Sequence, residues 1–328
     1  MTRSAKRCAV GLLLSLAVTV LVVPAAAQQP PVGASADDKH VTAWMGGRVV
    51  MRYRKADVPF KPYLEELFTP SGVNVLRDSP ADHKHHHGLM FAVAVDGVNF
   101  WEEGPDAGAQ RSRSVAVLPG IRKSRQMTLL DLGGLDQTID WVGPKEDRPL
   151  LHERRTVQAF AAPRGTATLV MWQSHLSLPA GRESATISGA DYFGLGMRFP
   201  VSMDKGGRFR NADGKTGVPE TNAQRSRWCA YSAEVDGKPV TVAMFDRAEN
   251  YRHPATWFTM EKPFAYLCAT LNLKKEPVTL KAGEPLVLRY AVAAWDGTVD
   301  AAEIEALYKR WAAMPIGARS PASRPAKQ

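Results

Sequence analysis

Little in this sequence points to a membrane, a redox centre or a nucleic acid. After residue 27 no apolar run approaches the roughly 20 residues that a bilayer-spanning helix needs, so no transmembrane anchor is expected past that point. Cysteine is scarce. Of the three, Cys8 lies in the N-terminal apolar stretch without a lipobox, and Cys229 and Cys268 have no C-x-x-C spacing. That removes a zinc ribbon or a dithiol motif. The last two cysteines are left as a disulfide in an oxidising compartment or as buried thiols packing as small hydrophobes. Lys and Arg outnumber Asp and Glu by 42 to 33, a formal charge of +9. Part of that excess sits at the two ends, and no arginine-rich stripe with interleaved aromatics crosses the body, so nucleic acid is not expected as a partner. Phosphate fingerprints are missing as well: Phe209 stands where a phosphate loop ending at Gly214-Lys215-Thr216 needs its first glycine. Ser202 to Lys205 and Lys215-Thr216-Gly217 lie too close to act as the S-x-x-K and K-T-G of penicillin-recognising enzymes, and there is no G-x-S-x-G elbow.

The ends carry their own signals. Arg3, Lys6 and Arg7 precede the apolar run Ala9 to Val23 and the small residues Ala25-Ala26-Ala27. This is the pattern of a secretory signal over residues 1–27, cleaved near Gln28, and it implies a periplasmic or secreted protein. Residues 28–39 read as a flexible lead-in, residues 40–315 as one domain, and residues 316–328 as a disordered basic tail containing ARSPASRPAKQ.

Between the ends, short apolar alternations are separated by Gly, Pro, Asp and Asn. Val50 to Arg54, Ser114 to Leu118, Thr166 to Leu178, Val240 to Phe245, Pro263 to Leu273 and Pro285 to Trp295 are rich in β-branched and aromatic residues. Asp96-Gly97, Asp213-Gly214, Asp236-Gly237 and Ala282-Gly283 supply turns between such runs. One helix stands out near the end: Asp300 is placed to cap it with Glu303 three residues on, and Ile304, Leu307 and Trp311 recur at helical spacing. The expectation is an all-β protein, a single large antiparallel β-sandwich closed by a C-terminal helix.

Half of the eight histidines fall within five residues, His83, His85, His86 and His87, at the entrance to the apolar segment Leu89 to Val95. Drawn as an extended strand, His83, His85 and His87 share one face and His86 the other. Such a run can ligate a divalent metal, with His83, His85 and Asp82 as the set. It can equally transfer protons near neutral pH, or stand as a polar surface loop. Glu153 in LHERRTV is the carboxylate most readily paired with it, although a solvated charge cluster gives the same pattern. Trp101, after the Asp96-Gly97 turn, brings a ring toward the same mouth. Phe245 to Phe258 collects Asp246, Asn250, Arg252 and His253 beside Tyr251 and Trp257, a mixture that suits a sugar's hydroxyls and its C–H face. Arg77 and Arg198 are candidates for gripping a carboxylate or phosphate.

Asp82-His83-Lys84-His85-His86-His87-Gly88-Leu89, followed by Gly97, Phe100 and Trp101, resembles the D-H-P-H-H-R-G-L and G-x-x-F-W of the bacterial family catalogued as PmoA-like, a domain of unknown function. Tyr63-Leu64 with Pro70 and Gly72, Glu153-Arg154, Gly194-Leu195-Gly196 with Arg198, and Asn250 to Pro254 extend the likeness over about residues 45 to 300. Lys84 replaces the family's proline, and His87 its arginine, which leaves His83, His85 and His86 as the better candidates for shared machinery. The resemblance implies a galactose-mutarotase-like supersandwich. It also implies a carbohydrate or other small polar ligand handled by His83, His85 or His86 with Glu153, and positioned by Arg77, Trp101, Arg198, Asn250, Arg252 and His253. No organic cofactor is required on that reading, while a divalent metal ion stays open. The rivals are a glycan-binding protein without catalysis and, following the family's oxygenase name, a metal-binding protein or oxidoreductase.

Overall fold

Period-2 alternation of apolar residues is the signature of strands that bury one face, and it holds through the long runs of this chain. The computed structural model describes residues 32–58, 60–120, 129–145 and 148–315; the leader and the basic tail lie outside them. One antiparallel sheet runs in the order Val32–Ala36, His40–Met45, Arg48–Arg54, Tyr63–Leu67, Leu89–Ala92, Gly194–Arg198, Tyr266–Thr270, Thr256–Met260. A second runs Arg208–Asn211, Trp228–Val235, Lys238–Asp246, Leu286–Asp296, Ala167–Ser177, Pro149–Ala161, Leu130–Val142, Ala109–Pro119. The strand Val32–Ala36 pairs with His40–Met45, so regular structure begins inside the segment expected to be a flexible lead-in. A four-stranded sheet, Val278–Lys281, Ser184–Ser188, Ala94–Val95 and Val98–Asn99, completes the set.

The two large sheets bury one shared core, in which Met51, Tyr53, Leu64 and Leu195 of the first meet Leu135, Trp172, Tyr231 and Val292 of the second. The second sheet is buried on its other face too. There Trp228, Phe245 and Trp295 receive Ile304, Leu307 and Trp311 of the helix Ala301–Ala312. Ala230, Ala243, Ala291 and Ala293 line that outer face, and their small side chains let the helix lie close. The Asp300 carboxylate accepts from the Glu303 amide at 2.9 Å, the cap its spacing predicts. The fold is therefore an all-β antiparallel sandwich with a C-terminal helix. Cys229 and Cys268 are free and buried, and burial pushes both thiols up. No helix among the described residues is long and apolar enough to cross a membrane.

Candidate functional site

The histidines do not form a strand. Regular pairing begins only at Leu89, and residues 79–87 fold as a compact loop. His83 donates its amide to Pro80 O and His86 to His83 O, both at 2.9 Å, while Ser79 N reaches His86 O at 2.9 Å. Ser79 Oγ holds the carbonyl of Lys84 at 2.8 Å, fixing a position where the resembling family has proline. Gly88 then brings the chain so close to the neighbouring strand that a Cβ there would lie 2.2 Å from Leu64 O. Successive turns splay the four rings in a way that the alternation of a strand does not. His83, His85 and His86 enter a pocket, and His87 points into a different cluster.

That pocket, of about 330 Å³, is walled by the three imidazoles, Trp101, Glu102, Tyr192, Phe258, Met260, Pro263, Phe264 and Tyr266. Trp101 arrives there because Asn99 Oδ1 accepts from the amides of Trp101 (2.8 Å) and Glu102 (3.2 Å), turning the chain after the Asp96-Gly97 hairpin. Its ring stacks on Phe193 at 5.2 Å. Gly196 is required beneath: a Cβ would fall 2.2 Å from the Tyr266 hydroxyl and 3.0 Å from the Trp101 ring.

The three imidazoles form a triangle, the rings of His83 and His85 being 5.7 Å apart, and a carboxylate stands beside each of two corners. At one, His83 Nδ1 lies 3.1 Å from Asp82 Oδ2, which also accepts from Arg198 Nη2 at 3.2 Å. At the other, His85 Nδ1 lies 3.4 Å from Glu102 Oε2. His86 is the third corner, its ring 4.7 Å from that of His83 and 4.6 Å from that of His85. Burial, reinforced by the two neighbouring imidazoles, pushes the His86 pKa down to about 3. Burial also lowers that of His85, against the opposing pull of Glu102. Both rings are therefore neutral at neutral pH. His87 is the reverse case. It bridges Asp78 Oδ1 (2.7 Å) and Glu103 Oε1 (2.8 Å), while Glu103 also takes the buried Lys61 ammonium at 2.7 Å. Burial works against its charge, but the two carboxylates outweigh burial and raise its pKa.

The deciding feature of the site is its unsatisfied polar atoms. Buried donors and acceptors are almost always paired, and each one left unpaired costs about 1–3 kcal/mol. His86 Nδ1, Trp101 Nε1, Tyr266 OH, and Arg198 Nε and Nη1 have no partner among the described residues. Their residues are 6%, 0%, 2% and 1% exposed, in the order His86, Trp101, Tyr266, Arg198. Among the described residues three other such atoms occur, on Arg54, Glu66 and Trp311, so the unpaired groups concentrate around this pocket.

Residues 40–309 match the sequence pattern of a family of unknown function, DUF6807. The chain belongs to that family. Among curated proteins no sequence match was found. Similar solved structures include the GH36 α-galactosidase AgaB of Geobacillus stearothermophilus, at 10% identity and TM-score 0.46 over 80% of this chain and 41% of that one. Another is a candidate mutarotase, YeaD, of Salmonella typhimurium, at 8% identity and TM-score 0.36 over 81% and 97%. This chain spans about two-fifths of the length of the α-galactosidases it matches. At these values the likeness assigns no substrate.

In this DUF6807 chain the remaining expected site residues lie elsewhere. Glu153 does not face the histidines. It is buried in the sandwich core, where its carboxylate accepts from Trp141 Nε1, Arg155 Nε and Nη2, and Ser174 Oγ at 2.6–2.9 Å. Its place on the inward face of a long strand, two residues from Arg155, makes it half of an internal ion pair. The pocket's carboxylate is instead Glu102, in the run Trp101-Glu102-Glu103. Its position directly after the aromatic pair Phe100-Trp101 was the available signal. Asn250 and His253 brace their own loop: Asp246 accepts from Asn250 Nδ2 at 2.6 Å and sits 2.7 Å from His253 Nδ1. Arg252 Nη1 donates to the carbonyls of Leu271 and Glu276. None of the three lines the pocket. Arg77 meets Arg198 through its backbone, donating N–H to Arg198 O at 3.0 Å. Asp82, His83 and His85 do not converge as ligands, since His83 is paired with Asp82 and stacked on His86. No group of three or more His, Cys, Asp or Glu among the described residues is arranged to hold a metal. Tyr192, Phe258, Phe264 and Tyr266 are not singled out by the sequence: Phe264 and Tyr266 fall in the strand-like run Pro263 to Leu273, Phe258 only closes the run Phe245 to Phe258, and Tyr192 lies in neither.

Proposed function

We propose that the pocket binds a carbohydrate and that the protein acts on it by proton transfer, with His85 as the acid–base group and Glu102 as the carboxylate that orients it. The observation that carries this reading is the His85–Glu102 pair set into a ring-walled pocket with unpaired buried polar atoms beneath. A volume of about 330 Å³ falls at the small end of ligand pockets and suits one or two sugar rings. Aromatic faces take the C–H surface of such a ring, while a few fixed polar groups read its hydroxyls. With the Nδ1 proton turned to Glu102, His85 presents a free Nε2 lone pair. Its lowered pKa keeps that lone pair available at neutral pH. His86, neutral down to about pH 3, serves as a hydrogen-bonding group and not as an acid. His83 and Trp101 position the ring. An exported location, read from the leader, fits a protein that meets glycans outside the cytoplasm. The motif likeness to PmoA-like proteins is kept in this carbohydrate sense, not in the oxygenase sense of the name.

The test is a panel of mono- and oligosaccharides incubated with the protein and followed by NMR, which reports binding, anomer exchange and bond cleavage together. One sugar should bind and be converted. His85→Ala and Glu102→Gln should each lower conversion by about 10²–10⁴-fold, the usual worth of a general acid–base. Saturable binding with no product from any sugar would reduce the protein to a glycan-binding module, and full turnover in both variants would overturn the assignment of roles.

A further inference from the structure

We propose that the sugar taken by this pocket carries an anionic group, a hexuronate residue in form, and that Arg198 is its anchor. This rests on the carbohydrate reading above and narrows it to acidic sugars.

The chain contains its own control for what a buried arginine normally does. Arg155, fully buried, spends its guanidinium on Glu153 through Nε (2.9 Å) and Nη2 (2.8 Å), on Gln110 through Nη2 (2.7 Å), and on Tyr53 OH and Pro62 O through Nη1 (3.1 and 2.8 Å). Arg198 is equally buried, at 1% exposure, yet its one hydrogen-bonded acceptor is Asp82 Oδ2 at 3.2 Å through Nη2. Nε and Nη1 are unpartnered. Asp82 is half exposed, so water competes for it, and it is shared with His83. A guanidinium removed from water with one shared, solvent-facing counter-ion is undercompensated. Its planar fork is shaped for the two oxygens of a carboxylate.

Arg198 is not itself a wall residue. It lies against the ring of Phe264, 3.3 Å from carbon to centroid, and Phe264 is part of the wall. The aromatic face holds the cation in place of an anion, and Phe264 acts as a cover that an acidic ligand turns aside. Direction follows from the charges beside two of the three imidazoles. Arg198 and Asp82 stand beside His83 and Glu102 beside His85, the two rings being 5.7 Å apart. A uronate would lie with its carboxylate toward Arg198 and away from Glu102, which places a neighbouring ring carbon or hydroxyl at His85.

The experiment is ligand-observed NMR titration with D-glucuronate, D-galacturonate, their methyl esters, glucose, galactose and a uronate tetrasaccharide. The uronate should bind about 10-fold or more tightly than its methyl ester or the matching neutral hexose. A stronger response to the tetrasaccharide than to the free sugars identifies a chain-borne uronate, and the reverse a free one. Arg198→Gln and Arg198→Lys should narrow the ratio of uronate to neutral affinity toward one, with folding checked by circular dichroism. Phe264→Ala, which uncovers the guanidinium but also removes part of the pocket wall, should raise the ratio of uronate to neutral affinity severalfold and serves as the second probe should the arginine variants fail to fold. Neutral hexoses binding as tightly as uronates would overturn this inference and leave the carbohydrate reading standing. Uronate preference surviving in folded Arg198→Gln, or Phe264→Ala leaving the ratio of uronate to neutral affinity unchanged, would also overturn it. Failure of every sugar to bind would bring down both.

Discussion

Replacing His86 by glutamine should make the fold less sensitive to acid, by an amount the structure sets. In the folded protein this imidazole is buried against His83 and His85, and its pKa is pushed down to about 3 from an ordinary 6.5. The unfolded chain takes up that proton once the pH falls through about 6.5. Between the two values the unfolded state binds more protons, so the stability tied to His86 is whole above pH 6.5 and is lost as pH falls toward 3. Each pH unit in that window is worth about 1.4 kcal/mol. Going from pH 7 to pH 4.5 therefore costs the wild type about 2–3 kcal/mol through this one group. Carboxylates elsewhere add their own pH dependence, which the wild type and the variant share. Urea unfolding of both proteins at pH 7 and pH 4.5 isolates the effect: the difference in stability should move by about 2–3 kcal/mol in favour of His86→Gln on acidification. A difference that stays constant to within about 0.5 kcal/mol would show that the ring is not held neutral by its surroundings.

Three further outcomes follow from the same geometry. Glu153→Gln leaves the Arg155 charge buried without its counter-ion and should cost about 3–5 kcal/mol, read as a lowered thermal midpoint; little change would mean that the pair is not dry. Trp101→Phe removes an unpaired N–H with part of a buried ring, whereas Trp172→Phe removes an N–H bonded to Ser174; thermal midpoints should show the first losing about 1 kcal/mol less than the second, with Trp101→Phe also weakening sugar binding in the NMR titration, and equal losses would contradict the unpaired state of that group. His87 has the opposite sign to His86. Its folded pKa is raised by Asp78 and Glu103 despite burial, so its stabilisation is whole below about pH 6.5 and is lost as pH rises through the folded value. Histidine-resolved NMR should show His87 still protonated at a pH where exposed imidazoles are not.

Much of the architecture was legible because it rests on local rules. Asp96-Gly97 and Asp236-Gly237 adopt positive φ at both residues, as tight hairpins require, and the Asp300 cap with Ile304, Leu307 and Trp311 places the helix. The site was legible only where chemistry clusters in sequence. His83, His85, His86 and Trp101, which line one pocket, stand out in the sequence because unusual residues crowd one short stretch. Tyr192 comes from a turn far from the histidines in sequence, and Phe258, Phe264 and Tyr266 from one hairpin further on; each alone is an aromatic like many others in the chain. Glu153 misled because a charged residue beside arginines looks solvated, whereas strand alternation turns Glu153 and Arg155 inward together and Arg154 outward. The face assignment of the histidines failed for a related reason: it assumed extended backbone, while the turns at Pro80 and His83 reset the direction of every ring.

The most direct test of the central claim follows the eight imidazoles by nitrogen chemical shift while the best-binding sugar of the panel is added. His83, His85 and His86 should shift and saturate together, while His87, His152 and His253 stay where they were. Shifts centred on His253 or His152, or none at the three pocket histidines while the sugar demonstrably binds, would place the site elsewhere and contradict the account.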